Sequence, residues 1–311
     1  MGQEIIDIAD LDCIYLSYDE PRKEEFWAKI NTMVPWAKRV DGIKGSDAAH
    51  KAAAAMSDTE RFILIDGDNL PKESFFNQQL VLDETNRDYV FRWKAYNIIN
   101  GLTYGNGGLS CWTKTFINNM RTHEASDGSN KTAVEFCWND GYKAMHDVWS
   151  TTYPNQSPLH AWRAGFREGV KMCLDQGVKP SLMDFQTRVS LGNMRNLTIW
   201  HNIGYDAVYG DWAMLGARLG TYMTMLDDWD YTQVHNFDVL KELFDDYFSF
   251  YGGEVESKYM DRLSDELGLK LGLDMIIEDK EFSQFFKKYA TQRKNKGIMV
   301  YEDHNDSESH Y

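Results

Sequence analysis

The chain has 311 residues, of which 43% are hydrophobic and 14% aromatic, and this composition excludes a disordered or collagen-like protein. Its 33 basic and 48 acidic residues give a net charge of −15, which argues against non-specific binding to nucleic acid or to an anionic membrane, because the mean field repels phosphate. The sequence contains no apolar run of about 18 residues and no basic and apolar leader, so we expect a cytoplasmic protein without a membrane span.

Short apolar segments alternate with helical ones in the first half of the chain. Strands are predicted at residues 13–16, 38–40, 61–65 and 89–93, and helices at residues 22–32 and 46–56. Residues 61–65 give the strongest strand signal, because a continuous apolar run is typical of a strand buried on both faces. Strands separated by helices predict an α/β fold with a mostly parallel sheet.

The second half of the chain is predicted to be mainly helical. Ser157 is expected to cap a helix with Pro158 at its first position, and apolar residues then recur at spacings of 3, 4, 4 and 3 from Leu159 to Cys173. The same spacing recurs from Trp212 to Leu226 and predicts a second amphipathic helix. Further helices are predicted at residues 237–251, 256–266 and 279–293.

These patterns divide the chain into three predicted regions. They are an α/β region at residues 1–155, a mainly helical region at residues 156–301 and a disordered acidic tail at residues 302–311. The four cysteines are far apart and form no CxxC or Cys–His cluster, which predicts buried, reduced thiols.

Asp66, Gly67, Asp68 and Asn69 directly follow the strongest predicted strand. Ligands of open α/β sheets bind beyond the carboxyl ends of the strands, and two carboxylates placed there need a cation. Carboxylate oxygens suit Mg²⁺ or Mn²⁺, which also take water and substrate phosphate oxygens as ligands. The alternative is a structural turn, since Asp, Gly and Asn are common at strand ends.

Residues 104–108 (Tyr-Gly-Asn-Gly-Gly) form the second signal. Three glycines in four positions permit a close approach of a substrate to the backbone, and Gly107 and Gly108 are the expected contacts. No helix begins immediately after them, so this is neither a Walker nor a Rossmann loop. A plain glycine turn is the alternative interpretation.

Two further groups are candidates for the same site. Arg163 and Arg167 are four residues apart on one predicted helix, where they share a face and would clamp a phosphate. His201 is the candidate third protein ligand of the metal, with His146 and His160 as alternatives. A lone histidine is more often structural, and Arg167 would alternatively pair with a nearby acid.

In their order along the chain, these motifs resemble the GT-A class of glycosyltransferases, which use nucleotide sugars. The resemblance covers roughly residues 10–150 and rests on the early strand, on residues 42–46 (Gly-Ile-Lys-Gly-Ser) before an Ala-rich helix, and on the Asp-x-Asp motif at residues 66–68. It implies a Rossmann-like, mostly parallel sheet with helices on both faces, followed by the mainly helical part. It also implies that Asp66 and Asp68 bind the metal together with a nucleotide sugar, and we expect a UDP-sugar.

The same resemblance assigns the nucleotide site. Ser17, Tyr18 and Asp19, at the end of the first predicted strand, would lie near the base and ribose, and Lys44 would reach the nucleotide or its phosphates. Residues 12–68 are also similar to enzymes of tailed phages that glycosylate DNA, with arabinosyltransferases acting on 5-hydroxymethylcytosine as the nearest class. If the chain is phage-encoded, its compartment would be the host cytoplasm.

A DNA acceptor requires a local cationic surface on this acidic chain. The candidate contributors are Arg121, His123, Lys131, Lys287, Lys288, Arg293, Lys294 and Lys296. The C-terminal members of this set are equally consistent with a solvated helix face.

An inverting transfer needs a general base for the acceptor hydroxyl, and Asp140, Asp147, Glu168 and Asp184 are the candidates, with Asp140 and Glu168 preferred. A retaining reaction stays open. Three alternatives to a DNA glycosyltransferase also stay open at this point. They are a glycosyltransferase acting on a glycan or protein, a nucleotidyltransferase, and a non-catalytic binding protein.

Overall fold

The computed structural model describes residues 3–104, 108–125, 136–137, 140–276 and 279–289. The strands of both sheets lie between residues 4 and 152. In chain order they are β1 (Glu4–Asp7), β2 (Asp12–Ser17), β3 (Lys38–Asp41), β4 (Arg61–Asp66), β5 (Asn69–Pro71), β6 (Gln79–Leu82), β7 (Val90–Asn97), β8 (Leu109–Thr113) and β9 (Tyr142–Thr152).

Helices accompany the strands and make up most of the chain after residue 157. The α-helices are α1 (Lys23–Met33), α2 (Ser46–Met56), α3 (Lys114–Asn119), α4 (Pro158–Met172), α5 (Phe185–Arg188), α6 (Leu191–Asn202), α7 (Gly210–Met225), α8 (Phe237–Phe250), α9 (Ser257–Leu271) and α10 (Lys280–Tyr289). Short 3₁₀ turns occur at Ile8–Asp10, Glu73–Asn77, His123–Ala125 and Tyr231–His235.

The main sheet is mixed, with seven strands in the order β3-β2-β4-β8-β7-β9-β5. The contacts β2/β3, β2/β4 and β7/β9 are parallel, whereas β4/β8, β7/β8 and β5/β9 are antiparallel. The prediction of a mostly parallel sheet is therefore wrong. The antiparallel strand β8 separates the parallel group β3-β2-β4 from β7, and β1 and β6 form a separate two-stranded antiparallel sheet.

Helices cover both faces of the main sheet, as predicted. Successive residues of a strand point to opposite faces, so Cys13 and Tyr15 of β2 pack in a cluster with Phe26 of α1. Ile14 lies in the cluster that contains Ala53 of α2, on the other face. The strands β2 and β4 are thus buried on both sides, which explains why their sequences are almost continuously apolar.

The predicted helices in the second half are confirmed as far as the structure describes them. Ser157 caps α4, with its hydroxyl accepting a hydrogen bond from the His160 amide at 3.2 Å, and Pro158 is the first helical residue. The helix predicted at residues 279–293 is present up to Tyr289, and the tail at residues 302–311 lies outside the described residues. Within the described part of the chain, no helix is long and apolar enough to cross a membrane.

Helices α4 and α7 pack with their backbones in direct contact at the centre of the helical core. A Cβ on Gly165 would lie 1.9 Å from the Ala213 carbonyl oxygen, and one on Gly216 would lie 2.1 Å from the Trp162 carbonyl oxygen. Glycine at these positions therefore allows the close approach of the two helices. This contact fixes α4, whose other face carries Arg163, Arg167 and Glu168.

Candidate functional site

A cavity of about 1380 Å³ combines the carboxyl ends of β2 and β4 with residues of α4 and the start of α8. It brings together most of the residues predicted from the sequence. Those in its lining are Ser17, Tyr18, Asp19, Lys44, Asp66, Asp68, Gly108, Asp140, Arg163, Arg167 and Glu168. Gly107 lies outside the described residues.

Asp66 and Asp68 sit on the floor of this cavity, partly exposed to it. The Asp66 amide donates a hydrogen bond to the Gly108 carbonyl oxygen at 2.7 Å, but its carboxylate forms no hydrogen bond or ion pair within the described part of the chain. Asp68 is held by the Thr152 hydroxyl at 3.0 Å and by the Asn69 amide at 2.9 Å. One carboxylate is thus fixed in place, and its neighbour has no protein partner among the described residues.

Glycine at position 108 is required by the space around Asp66. Its φ angle is +70°, and an added Cβ would lie 2.6 Å from Oδ2 of Asp66 and 2.6 Å from Nδ2 of Asn69. A side chain would therefore displace the aspartate from the cavity floor, in addition to its backbone strain. Gly108 therefore has a defined role in the site, although the group that it approaches is Asp66 and not, as predicted, a substrate.

A third carboxylate, Glu20, lies beside the aspartate pair. The Tyr18 amide donates a hydrogen bond to the Glu20 carboxylate at 2.7 Å. The Glu20 side chain lies so close to Gly67 that a Cβ at position 67 would be 2.4 Å from its carboxylate carbon. Burial, together with the charges of Asp68 and Glu20, raises the pKa of Asp66 to about 8. Burial also raises the pKa of both Asp68 and Glu20.

These observations fit a divalent cation. The donors are hard carboxylate oxygens, they repel one another, and the Asp66 carboxylate has no other partner among the described residues. The described residues hold no cluster of three or more His, Cys, Asp or Glu side chains able to bind a metal. A cation on Asp66 and Asp68 would therefore complete its coordination with water and substrate oxygens, as Mg²⁺ commonly does.

Without metal, we expect Asp66 to lower the free energy of unfolding, relative to the Asp66→Asn variant, by an amount that grows as the pH rises from about 4 to about 8. Asp66 binds its proton more tightly in the folded protein, where its pKa is about 8, than in the unfolded chain, where it is close to 3.8. Stability is therefore lost on ionisation in the folded state, and Mn²⁺ should restore it most at the upper end of this range. Thermal unfolding at pH 5, 6, 7 and 8, with EDTA or with Mn²⁺, measures both effects.

The control for this pH series is Asp66→Asn, because contributions from other buried groups, such as His123 and His201, cancel in the difference between the two proteins. A metal-free difference in stability that does not change between pH 5 and 8 would contradict the electrostatic account of the aspartate pair.

One face of α4 supplies cations to the opposite side of the cavity. Arg163 binds Asp19 through Nη1 at 3.2 Å and Nη2 at 3.4 Å, with His160 Nε2 at 3.5 Å from the same carboxylate. Against the opposing effect of burial, His160 and Arg163 hold the pKa of Asp19 well below its usual range. Arg163 thus fixes the loop after β2 and is not a free phosphate clamp.

Arg167 is the cation that remains available. Its Nε is buried and finds no hydrogen-bond partner among the residues that the structure describes, and its Nη2 lies 3.4 Å from Nδ1 of His235. The guanidinium groups of Arg163 and Arg167 lie 4.2 Å and 5.2 Å from the centre of the Phe237 ring, which orients both. Arg167 therefore offers hydrogen-bond donors and a positive charge to an anion in the cavity.

Glu168 belongs to a chain of hydrogen bonds at the cavity wall. The Tyr104 hydroxyl donates to Oε2 of Glu168 and accepts a hydrogen bond from the indole of Trp200 at 2.6 Å. Burial and the charge of Glu168 raise the pKa of Tyr104 well above its usual value, so the phenol stays protonated and keeps donating. This contact orients the Glu168 carboxylate, whereas Asp140 is exposed on the lining.

Of the three remaining residues predicted for nucleotide binding, Ser17 and Lys44 already have protein partners. The Ser17 hydroxyl is buried, donates to Asp41 at 2.7 Å and accepts from Arg39 at 3.1 Å, so it fixes the strand end. Tyr18 is exposed at the cavity edge. Lys44 forms an exposed ion pair with Asp238 at 2.9 Å, which joins the loop before α2 to the start of α8.

The prediction of His201 as a metal ligand is wrong. His201 lies within α6, is completely buried, and bonds to the Thr221 hydroxyl at 3.0 Å in the helical core. Burial and the charge of Arg218 lower its pKa to about 3, and it is not part of the cavity lining. No helix was predicted at this position, and α6 turns the His201 side chain against Thr221 of α7.

Two members of the predicted basic surface, His123 and Lys287, do not contribute an available positive charge in the structure. Burial, together with the charges of Arg167 and Lys171, lowers the pKa of His123 to about 4, so it is neutral at pH 7. Lys287 forms an ion pair with Asp206 at 2.7 Å. Arg121 and Lys288 lie within the described residues, whereas Lys131, Arg293, Lys294 and Lys296 lie outside them.

Several site residues were missed from the sequence. Glu20 and Phe237 contact the predicted residues without any motif of their own, and only the fold reveals them. Tyr104 belongs to the predicted glycine-rich segment, but its hydrogen bond to Glu168 was not predicted. His160 was predicted only as an alternative metal ligand, although it shares a helix face with Arg163 and Arg167 at spacings of three and four, and it lies beside Asp19.

Neither a scan against protein-family models nor searches of curated proteins and solved structures found a match for this chain. The geometry of the cavity therefore carries the functional inference.

Proposed function

We propose that the chain is a metal-dependent glycosyltransferase that moves a sugar from a nucleotide sugar, with a UDP-sugar as the expected donor, to a hydroxyl group. One observation carries the proposal: a carboxylate pair that needs a cation and an arginine that needs an anion line the same cavity. A nucleoside diphosphate with Mn²⁺ or Mg²⁺ satisfies both requirements at once. The resemblance to GT-A glycosyltransferases supports the same assignment.

In this proposal Asp66 and Asp68 hold the metal, which supplies positive charge to the diphosphate oxygens. Arg167 donates hydrogen bonds to the leaving diphosphate as its charge grows. Glu168 accepts the proton of the acceptor hydroxyl while the acceptor oxygen bonds to the anomeric carbon and the bond to the diphosphate breaks. Tyr104 orients the Glu168 carboxylate for this transfer.

The Glu168→Gln variant is expected to lower kcat on the order of 10²- to 10⁴-fold, because the amide cannot accept the proton. Binding of UDP with Mn²⁺ should stay within about twofold of the unaltered protein, since Glu168 does not contact the proposed metal ligands. Steady-state kinetics together with calorimetric UDP titration separates the two effects. An unchanged kcat would move the base role to Asp140, whose Asp140→Asn variant is the matched comparison.

The acceptor favoured by the resemblance is 5-hydroxymethylcytosine in phage DNA. A specific observation favours the alternative of a glycan, protein or small-molecule acceptor: His123 is neutral and Lys287 is paired, which weakens the expected cationic surface. Labelled donor with hydroxymethylated DNA, unmodified DNA or a glycan as acceptor distinguishes these cases. Transfer of the nucleotide instead of the sugar would identify a nucleotidyltransferase.

The decisive first experiment is a thermal-shift panel of UDP, GDP and CDP with and without Mn²⁺. A ligand at a hundred times its Kd stabilises a protein by about 2.7 kcal/mol, so a metal-dependent rise in Tm for one nucleotide should be clear. No rise with any nucleotide would overturn the proposal and favour a non-catalytic protein.

A further inference from the structure

A third arginine lines the cavity, Arg92 of β7, and the proposed reaction leaves it unused. Its side chain is only 7% exposed, it lines the cavity, and its Nε has no hydrogen-bond partner in the described part of the chain. The guanidinium carbon lies 4.3 Å from the centre of the Tyr142 ring, a cation–π contact that supplies no counter-charge. No carboxylate of the described residues pairs with it.

A buried charge without a counter-charge is costly to a protein, since its desolvation is not compensated. The chain has a net charge of −15 and several carboxylates line the same cavity, yet none of them in the described residues forms an ion pair with Arg92. An oxyanion bound at its edge would supply the missing partner with charge-assisted hydrogen bonds.

Ser110 of β8 provides a second donor at the same place. It is paired with Arg92 in the strand register, is 7% exposed and also lines the cavity. Its Oγ accepts a hydrogen bond from the Trp112 indole at 2.8 Å, and its own hydrogen finds no acceptor among the described residues. Arg92 and Ser110 therefore present donors side by side.

The strand register separates this place from the aspartate pair. Leu64 of β4 is opposite Ser110 of β8, and Ser110 is opposite Arg92 of β7, so Arg92 lies two strands away from Leu64 on the same face of the sheet. Asp66 follows Leu64 by two residues and therefore belongs to that face as well. Strand spacing and rise put the Cα atoms of Arg92 and Asp66 about 12 Å apart. One phosphate group is too small to span this distance, and both residues line the same cavity.

We propose that Arg92 and Ser110 form an oxyanion-binding site that recognises a negatively charged group of the acceptor substrate. The assignment to an acceptor rests on the proposed function, in which the donor diphosphate occupies Asp66, Asp68 and Arg167. The site itself requires only the unpaired donors. The anion is a phosphate or a carboxylate, and the acceptor is accordingly a phosphorylated or an acidic molecule.

The test uses Arg167→Met as the background, because this variant removes the other available arginine. Inorganic phosphate, acetate and chloride are added at equal ionic strength in EDTA, and Tm is recorded. Phosphate is expected to raise Tm relative to chloride, and adding Arg92→Met should abolish the rise or weaken the apparent affinity at least tenfold. A rise with acetate as well would identify a carboxylate-bearing acceptor as an equal candidate.

Two further measurements keep the proposal falsifiable. Ser110→Ala should reduce the phosphate effect without removing the arginine, so the site remains testable if the Arg92→Met chain fails to fold. In the otherwise unaltered protein, Arg92→Met should leave Mn²⁺-dependent UDP binding unchanged. A phosphate effect that survives both variants, or no phosphate effect in the background protein, overturns the site.

Failure of the proposed function gives a different pattern. If UDP with Mn²⁺ does not bind but the phosphate effect depends on Arg92, the oxyanion site stands and its assignment to an acceptor falls. If UDP binds and phosphate has no effect, the glycosyltransferase proposal stands and the oxyanion site falls.

Discussion

The Asp66→Asn variant is expected to lose Mn²⁺-dependent UDP binding by on the order of 100-fold or more, and sugar transfer with it. The substitution keeps the shape of the side chain and removes its charge. Because the Asp66 carboxylate has no hydrogen-bond or ion-pair partner among the described residues, the loss acts on the cation and not on a structural contact of this side chain. The fold should survive, and calorimetric titration of UDP with Mn²⁺ measures the effect directly.

The free protein offers a second readout for the same variant. Repulsion from Asp68 and Glu20, added to burial, raises the pKa of Asp66, so removing this charge relieves an unfavourable interaction above pH 7. We therefore expect Asp66→Asn to be at least as heat-stable as the unaltered protein in EDTA at pH 8. A functional loss combined with retained or increased stability is typical of a binding site that is strained without its ligand.

Asp245→Asn is the matched control, since Asp245 is an exposed carboxylate on α8 outside the cavity lining. It should bind UDP and Mn²⁺ normally. Asp68→Asn should also lose binding, although it additionally breaks the bond to Thr152. Normal metal-dependent UDP binding by the Asp66→Asn protein would show that the pair does not hold the cation.

The strands that could be predicted from the sequence are those marked by a run of apolar residues within the strand itself. Strands β2 and β4 are buried on both faces by neighbouring helices, and this burial leaves a continuous apolar run that is readable without the fold. Strand β8 carries no comparable mark, and its antiparallel position between β4 and β7 depends on pairing over more than 40 residues. The mixed order of the sheet is therefore a tertiary property.

The same division applies to the site. Asp66 and Asp68 were predictable because they directly follow a recognisable strand. The partner that fixes Asp68 is Thr152, 84 residues later, and no local pattern marks it. The buried state of His201, and the lack of a counter-charge for Arg92 among the described residues, likewise depend on what packs against these side chains, which a single position in the sequence does not show.

The packing of α4 on α7 leads to the second large expected effect. Gly216→Ala should lower the free energy of unfolding by about 2 kcal/mol or more, although alanine is the better helix former. The added Cβ would lie 2.1 Å from the Trp162 carbonyl oxygen and 2.9 Å from the Phe166 amide nitrogen, and backbone atoms cannot move away as a flexible side chain would. Urea unfolding at equilibrium measures the change through the transition midpoint.

The matched control is Gly192→Ala on α6, where the nearest atom to an added Cβ is the Ser190 hydroxyl at 3.9 Å. There the alanine should be neutral or stabilise the chain by about 0.4 to 1 kcal/mol, because it restricts the unfolded state without a clash. Since α4 carries both Arg167 and Glu168, separation of α4 from α7 in the Gly216→Ala protein should also weaken UDP binding, which Gly192→Ala leaves intact. Equal unfolding midpoints for the two variants would contradict the close backbone contact between α4 and α7. The position of α4, and therefore of Arg163 and Arg167 in the cavity, depends on this contact.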